Sequence, residues 1–448
     1  MMQAKQELTK IPKKIFQTWF TKEFPPKMKE CVDDLKRKHP DFEYFFFDDD
    51  ECREFIQTNF DEEVLFAFDT LIPGAFKADL WRYCVLYIHG GVYLDIKFNT
   101  CPSFTLHPFL DKEYYVRDLP TFGLNGVYNA FMICSAGNPV LLQAIHQVVE
   151  NVKNRYYGRS PLDVSGPEML LKYFSDDDVN KFEFYLELGD YSVEGNNHIC
   201  KIMNKGECVL KMYDEYFQER NDIQTSAKYH SNLWKQGNIY NAIKYSEYFD
   251  RRKNTFEKSY KLILHTMKKN TIYNIIELGS SRSFVNGCYE GVFNSNENYW
   301  KPENPEVWDW GAGIFTKVFS ENLTGKKYKL YTIDPSEHAN KIVSTMCRND
   351  NKVFVKNEYS TDFLKSIDFK IDFLYMDHME SSEDACLKHL EDCKLIVEKD
   401  LMSKNAIILI DDVGEDISHT KGKYSIPFLL ENNYKIIIQE YQVLMQRK

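Results

Sequence analysis

Short apolar runs alternate with longer amphipathic stretches along almost the whole chain, and this alternation limits the possible folds more than any other feature. An apolar run bounded by polar turn residues reads as a buried strand, and apolar residues three and four apart read as a helix. The first series is KKIFQTWF, a polar helix-like stretch to His39-Pro40, FEYFFFDDD, and a helical stretch from Asp49. A helix over Lys77 to His89 follows, with Leu80, Tyr83, Cys84, Leu86 and Tyr87 at helical spacing; Gly90-Gly91 stops it and VYLDIKF reads as a strand. The second series is YNIIELGSS, KYKLYTIDPS, NKVFVK, KIDFLYMDH, NAIILIDD and YKIIIQEYQVLMQ, with helix-like stretches between several of them. Such alternation is the mark of an α/β fold. A chain of 448 residues exceeds the usual domain of ~100 to 250 residues. The reading is therefore two domains, 1–245 and 246–448, the second opened by a charged linking helix over 246–270 that contains no Pro or Gly.

The formal net charge of -11 argues against a general nucleic-acid or membrane-surface binder, because phosphate neutralisation needs a basic face. A small anionic ligand held by local cations stays open. Eleven cysteines without a CxxC pair suit reduced thiols, so a cytoplasmic location is expected, in the host cytoplasm if the source is viral. The first residues lack an apolar signal region, and no apolar run is long enough to span a bilayer. The sequon Asn322-Leu323-Thr324 reads as a chance match.

Within GAFKADLWRYCVLYIHGGVYLDIKF, Gly74 to Phe98, two readings compete. Glycines let a ligand approach the backbone, and a strand-end acid grips a ribose hydroxyl or a metal. Alternatively, Gly90-Gly91 is only a helix stop and Asp95 only a turn former. KADLWRY followed by GGVYLD resembles the sugar-nucleotide site of the DXD-containing glycosyltransferases related to yeast initiating mannosyltransferase and the clostridial glucosylating toxins. The resemblance extends to IPKKIFQTWF, FFFDDDECREFI, YNAFMICSAGNP, SGPEML and YHSNLW, about residues 10 to 240. It implies a GT-A fold and retaining transfer from a nucleotide sugar to a glycan, usually with Mn²⁺. It also implies that Asp79 and Arg82 hold the donor sugar, that Trp19 stacks on the nucleobase, and that Asn129 lines the sugar pocket. Gly90, Gly91 and Tyr93 would complete the nucleotide-sugar site. Asp95 would be the first acid of the DXD pair and a catalytic residue, and His230 would approach the diphosphate or metal. Lys97 stands where the second acid is expected. An ammonium cannot bind Mn²⁺ but neutralises phosphate, so metal is held weakly through Asp95 and His230, or is dispensed with.

In the second half, IIELGSS, YTIDPS, FLYMDHMES and ILIDDV resemble the Mg²⁺-dependent, S-adenosylmethionine-using O-methyltransferases that act on macrolide sugars and cephalosporin-type precursors, over residues 270 to 415. A Rossmann-like methyltransferase would hold the cofactor at Glu277, Gly279, Ser280, Asp334 and Asp377. Asp377, Asp411 and Asp412 would hold Mg²⁺ against a substrate hydroxyl pair, and Asp377 and His378 would be the catalytic groups, His378 as a base. The same acids also read as caps of the following helices. The full G-x-G-x-x-G of NAD-binding folds is missing at Gly279 and Gly311. The insertion Phe284 to Trp310 reads as a carbohydrate-binding lid or as ordered decoration. The expected function is sugar transfer joined to O-methylation on the same glycan. Two alternatives remain: a dead glycan-binding first half beside an active methyltransferase, or an active transferase beside a non-catalytic interaction domain.

Overall fold

The computed structural model describes residues 11–119, 126–191, 198–223, 229–244, 250–268, 271–280, 284, 300–310, 314–323, 326–348 and 350–448. Part of the insertion expected over 284–310, and Gly311, lie outside the described residues. The chain divides into two compact units, Met1–Asn241 and Ala242–Lys448. Each is a mixed α/β structure built on one large sheet.

The sheet of the first unit has nine strands: β1 (Lys14–Thr18), β2 (Glu43–Phe47), β3 (Gly91–Leu94), β4 (Phe98–Thr100), β5 (Tyr114–Arg117), β6 (Val127–Cys134), β7 (Phe184–Tyr191), β8 (His198–Asn204) and β9 (Glu207–Met212). Their spatial order is β2-β1-β3-β6-β5-β7-β8-β9-β4. The pairs of β1 with β2 and with β3 are parallel, and β3 pairs antiparallel with β6. Successive residues of a strand face opposite sides. Accordingly Tyr93 enters the core shared with Phe16 and Trp81, whereas Val92 and Leu94 enter a second core with Phe131 and Phe184. The expected single strand VYLDIKF is two strands. The ladder of β3 ends at Leu94, a turn at Asp95 to Lys97 redirects the chain, and β4 pairs with β9 at the far end of the sheet order.

Helices α1 (Pro26–Lys38), α2 (Asp49–Asn59), α3 (Glu62–Thr70) and α4 (Gly74–His89) cover part of this sheet. Asp48 caps α2 in a reciprocal capping box with Glu51. Helix α4 is buried along most of its length, Phe76 to Leu86, so any charged residue on it needs a partner in the interior.

The second sheet contains β10 (Tyr273–Leu278), β11 (Tyr328–Ile333), β12 (Val353–Lys356), β13 (Ile371–Met376), β14 (Met402–Ile410), β15 (Tyr434–Gln439) and β16 (Val443–Arg447), in the order β12-β11-β10-β13-β14-β16-β15. The first five are parallel in register, and β16 runs antiparallel between β14 and β15. YKIIIQEYQVLMQ, expected as one strand, is this hairpin: Glu440 N donates to Gln442 O at 3.0 Å and reverses the chain. Strand order reverses at β10, which sends β11 to one side and β13 to the other. A crevice beyond the carboxyl ends of β10, β11 and β13 follows from that switch. The helix found within 246–270 is Lys253–Thr266, with Phe256, Ile263 and Leu264 buried in this unit's core. No described helix is long and apolar enough to cross a membrane.

Candidate functional site

In the first unit, α4 carries Asp79 and Arg82 one turn apart, so both point to one face. The carboxyl end of β3 brings Asp95 against them, its N–H donating to Ala130 O at 2.8 Å. Arg82 is the hub. Its guanidinium donates to Asn129 O at 2.8 Å and to Ala78 O at 3.2 Å. It lies 3.3 Å from Asp79 Oδ1 and 3.4 Å from Asp95 Oδ1, and its plane covers the Tyr93 ring with the guanidinium carbon 4.4 Å from the centroid. Asn129 Nδ2 donates to Asp79 Oδ1 at 2.9 Å and to the Tyr83 hydroxyl at 2.7 Å, while Ser165 Oγ donates to Asp79 Oδ2 at 2.9 Å. Asp79, Arg82 and Asn129 are all buried.

Lys97 completes the group, its Nζ 2.9 Å from Asp95 Oδ2. Burial opposes the charge of Asp95, but Lys97 and Arg82 outweigh it and hold the carboxyl below its usual range. Burial likewise opposes the Lys97 ammonium, and Asp95 holds it protonated. Burial dominates at Asp79 and raises its carboxyl, with Arg82 acting against the shift.

Several expected ligand contacts are otherwise employed. Gly90 and Gly91 serve the protein's own backbone. At φ +60° and +111°, a Cβ on Gly90 would lie 2.6 Å from Ala136 N, and one on Gly91 2.7 Å from Lys14 O. They also sit at the opposite end of β3 from Asp95, Gly91 about 13 Å away at the usual rise per residue and Gly90 further. Tyr93 is buried, and its hydroxyl donates to Asp95 Oδ1 at 2.8 Å, so it positions the acid. Trp19 is half-buried, its ring beside Phe20 and its Nε1 buried without a partner. His230 opens a short helix beside Phe76. Burial, reinforced by Lys97 and Arg220, lowers its imidazole to about 4. The expected Mn²⁺ pair of Asp95 and His230 does not fit a metal, because the Lys97 ammonium and Arg82 guanidinium already occupy Asp95. Among the described residues, no group of three or more His, Cys, Asp or Glu side chains is arranged to hold a metal ion.

In the second unit, Gly279 follows β10 at φ +94°, and a Cβ there would lie 2.8 Å from Asp377 O and from the His378 backbone. Only glycine lets β10 and β13 end this close together. Gly279→Ala is therefore expected to destabilise this unit by at least about 2 kcal/mol, read as a fall in its melting temperature of about 4–8 °C. A fall of less than a degree would refute the close approach. Ser280 N donates to Asp334 Oδ2 at 3.0 Å and Ser336 N to Oδ1 at 2.8 Å, which aims a half-buried carboxylate at the end of β11. Were an adenosine cofactor held here, Asp334 is the carboxylate that would meet its ribose hydroxyls.

Glu277 does not belong to that group. It is wholly buried, accepts from Thr316 N and Thr332 Oγ1 at 3.2 Å and from the Thr316 hydroxyl, and braces the helix Phe315–Asn322 against β10 and β11. His378 stacks on buried His389, with centroids 4.3 Å apart. Its Nε2 lies 3.0 Å from Asp392 Oδ2 without hydrogen-bond alignment.

The expected Mg²⁺ trio is also occupied by cations. Lys421 Nζ lies 3.0 Å from Asp377 Oδ1 and 2.9 Å from Asp412 Oδ2, and Arg252 Nε lies 2.9 Å from Asp411 Oδ2. The Tyr375 hydroxyl donates to Asp411 at 2.5 Å and that of Tyr441 to Asp412. These residues do not fit Mg²⁺, which takes oxygen ligands and cannot share two carboxylates with an ammonium.

Residues 25–113 match the family described as glycosyltransferase sugar-binding region containing DXD motif. The matched span lies within the first unit and takes in α1 to β4. The DXD triplet reads Asp95-Ile96-Lys97 in this chain, and the matched span also holds Asp79 and Arg82. The chain is 35% identical over 151 residues to inositol phosphoceramide mannosyltransferase 3 of Schizosaccharomyces pombe, covering 33% of this chain and 40% of that protein. It thus spans about half or less of the curated relatives it matches first. Among solved structures, PaToxG glycosyltransferase aligns at 18% identity and TM-score 0.31, over 38% of this chain and 73% of that one. An SAH-bound methyltransferase from Podospora anserina aligns at 14% identity and TM-score 0.25, over 39% and 70%.

Asn129 and Ser165 reach Asp79 from outside the matched span. Sequence reasoning assigned no role to Ser165, Tyr83 or Glu168. SGPEML was the available signal for two of them, since Ser165 bonds Asp79 and Glu168 is a buried acid whose two carboxylate oxygens have no partner. Asp118, also unassigned, is pushed up to about 6 by burial, with Glu168 adding to the shift.

Proposed function

We propose that the chain is a bifunctional glycan-modifying enzyme: its first unit transfers a hexose from a nucleotide sugar to a glycan acceptor with retention, and its second O-methylates a sugar hydroxyl using S-adenosylmethionine. The observation that carries the first part is the cluster of Asp79, Arg82 and Asp95, charge-balanced by Lys97 within the matched span and joined there by Asn129 from outside it. In the proposed reaction the anomeric C–O bond to the diphosphate breaks and the acceptor oxygen replaces it on the same face. Negative charge grows on the departing diphosphate, and a fixed cation stabilises it most where water is excluded. Lys97 supplies that charge, with Asp79 and Arg82 on the sugar hydroxyls and Trp19 under the base.

The methylation reading rests on Gly279 and Asp334 at the strand-order switch, together with the antiparallel β16, which departs from the all-parallel six-stranded order of dinucleotide-binding folds. S-adenosylmethionine would supply the methyl group. Asp334 would hold its ribose, and residues at the ends of β13 and β14 would present the acceptor hydroxyl.

A thermal-shift panel with UDP-, GDP- and dTDP-sugars and with S-adenosylmethionine tests both halves. A ligand at 100 times its dissociation constant stabilises by about 2.7 kcal/mol, enough to see. One sugar nucleotide and S-adenosylmethionine are each expected to raise the transition. If no sugar nucleotide does so, the transfer reading fails; if S-adenosylmethionine does not, the methylation reading fails.

A further inference from the structure

The acids at the carboxyl ends of β13 and β14 form a charged cluster that is largely buried. Three carboxylates, Asp377, Asp411 and Asp412, meet two cations, Lys421 and Arg252. Asp411 and Lys421 are almost wholly buried. Removing a buried cation from such a set would leave carboxylates uncompensated, so the cluster requires positive charge from some source. The chain provides it.

Lys421 is held in place by its own backbone surroundings. Cys386 Sγ donates to Thr420 O at 3.0 Å, and Lys423 and Tyr424 both bind Glu383 at the start of the helix Glu383–Glu398. A Cβ on Gly422 would meet the side chains of Ile426 and Val413. The segment therefore carries its ammonium into the crevice as a fixed part of the fold. Of the three N–H donors of a lysine, two are accounted for by Asp377 and Asp412. The third remains for an acceptor oxygen. Asp412 adopts φ +53°, a conformation costly for a non-glycine residue; its bonds to Lys421 and Tyr441 hold it there.

We propose that Lys421 is the resident cation of this crevice, standing where the methyltransferase resemblance puts a divalent ion, so that ligand binding by the second unit is independent of Mg²⁺. Lys421 bridges Asp377 and Asp412, whereas Asp411 stays with Arg252, so deleting the amine leaves two facing carboxylates for a divalent ion to bridge. The inference concerns the unit assigned above to methylation. Metal titration, however, reads the crevice whether or not S-adenosylmethionine binds, so either idea can fail alone.

The test is a Mn²⁺ titration of the full chain, followed by electron paramagnetic resonance, for the parent, Asp412→Asn, Lys421→Met, and Lys421→Met with Asp412→Asn. The expected result is one additional bound ion per chain in Lys421→Met, lost again in the double variant, and no Mn²⁺ binding in the parent that Asp412→Asn removes. A parent site abolished by Asp412→Asn would overturn the proposal, as would a folded Lys421→Met that gains no ion. If Lys421→Met is unfolded without metal, Mn²⁺ is expected to restore its folded circular dichroism. A variant left unfolded by millimolar Mn²⁺ overturns the idea equally.

Discussion

Replacing Arg82 by alanine is expected to destabilise the first unit by about 3–5 kcal/mol, the usual cost of removing one partner from a buried ionic group. The size follows from what is left behind. Asp79 keeps its bonds from Asn129 and Ser165 but loses the one cation within ion-pair distance among the described residues, and Asp95 keeps Lys97 and the Tyr93 hydroxyl. The carbonyls of Asn129 and Ala78 lose a donor, and the Tyr93 face loses its cation. Exposed ion pairs behave differently, contributing about 0–1 kcal/mol, so Lys13 paired with Asp41 at the surface is a suitable control. Arg82→Lys should recover only part of the loss, because an ammonium cannot reach two carboxylates and a carbonyl with one planar fork. Hydrogen exchange on peptides from Gly74–His89, read across a urea series, isolates this unit from the other. A loss under 1 kcal/mol for Arg82→Ala would mean that the cluster does not organise the site.

How far the sequence revealed this arrangement depended on whether local chemistry or distant packing set each residue's role. The end of α4 at Gly90 was legible because a left-handed cap favours glycine. Asp79 and Arg82 were legible through the resemblance that KADLWRY carries, since helical spacing alone assigns them no partner. Ser165 could not be placed from spacing: it lies 86 residues from Asp79 in the chain and reaches it only through the fold. Glycine signals misled in the other direction. At Gly90 and Gly91, room for a ligand and room for a neighbouring backbone look the same in a sequence, and the structure fills the space with Lys14 and Ala136. Acids at strand ends carried the same ambiguity. Asp377, Asp411 and Asp412 read equally as metal ligands or caps, and the deciding residues, Lys421 and Arg252, come from segments with no motif of their own. The hairpin of β15 and β16 was hidden because its turn, Glu440 to Gln442, contains neither Gly nor Pro.

Lys97→Asp is expected to convert the glycosyltransferase site from metal-indifferent to metal-requiring. In the parent, two acids, Asp79 and Asp95, meet two cations, Arg82 and Lys97, so the cluster is neutral before a diphosphate arrives. The substitution exchanges a positive charge for a negative one and leaves the cluster two charges more negative. A diphosphate then approaches two carboxylates without a facing ammonium, and without added ion the stabilisation by a sugar nucleotide should disappear, a loss of about 2.7 kcal/mol at 100 times the parent's dissociation constant. Mn²⁺ should restore it, because carboxylates two residues apart around a turn can share one hard cation that also binds phosphate oxygens. The same titration on the parent should show a sugar-nucleotide shift unchanged by EDTA. Ionic strength separates this from general screening, since a buried pair is screened much less than exposed charges. If the parent's shift vanishes in EDTA while that of Lys97→Asp does not, Lys97 is not the cation that meets the diphosphate. Its bond to Asp95 would then be a brace for the turn that sends the chain from β3 to β4.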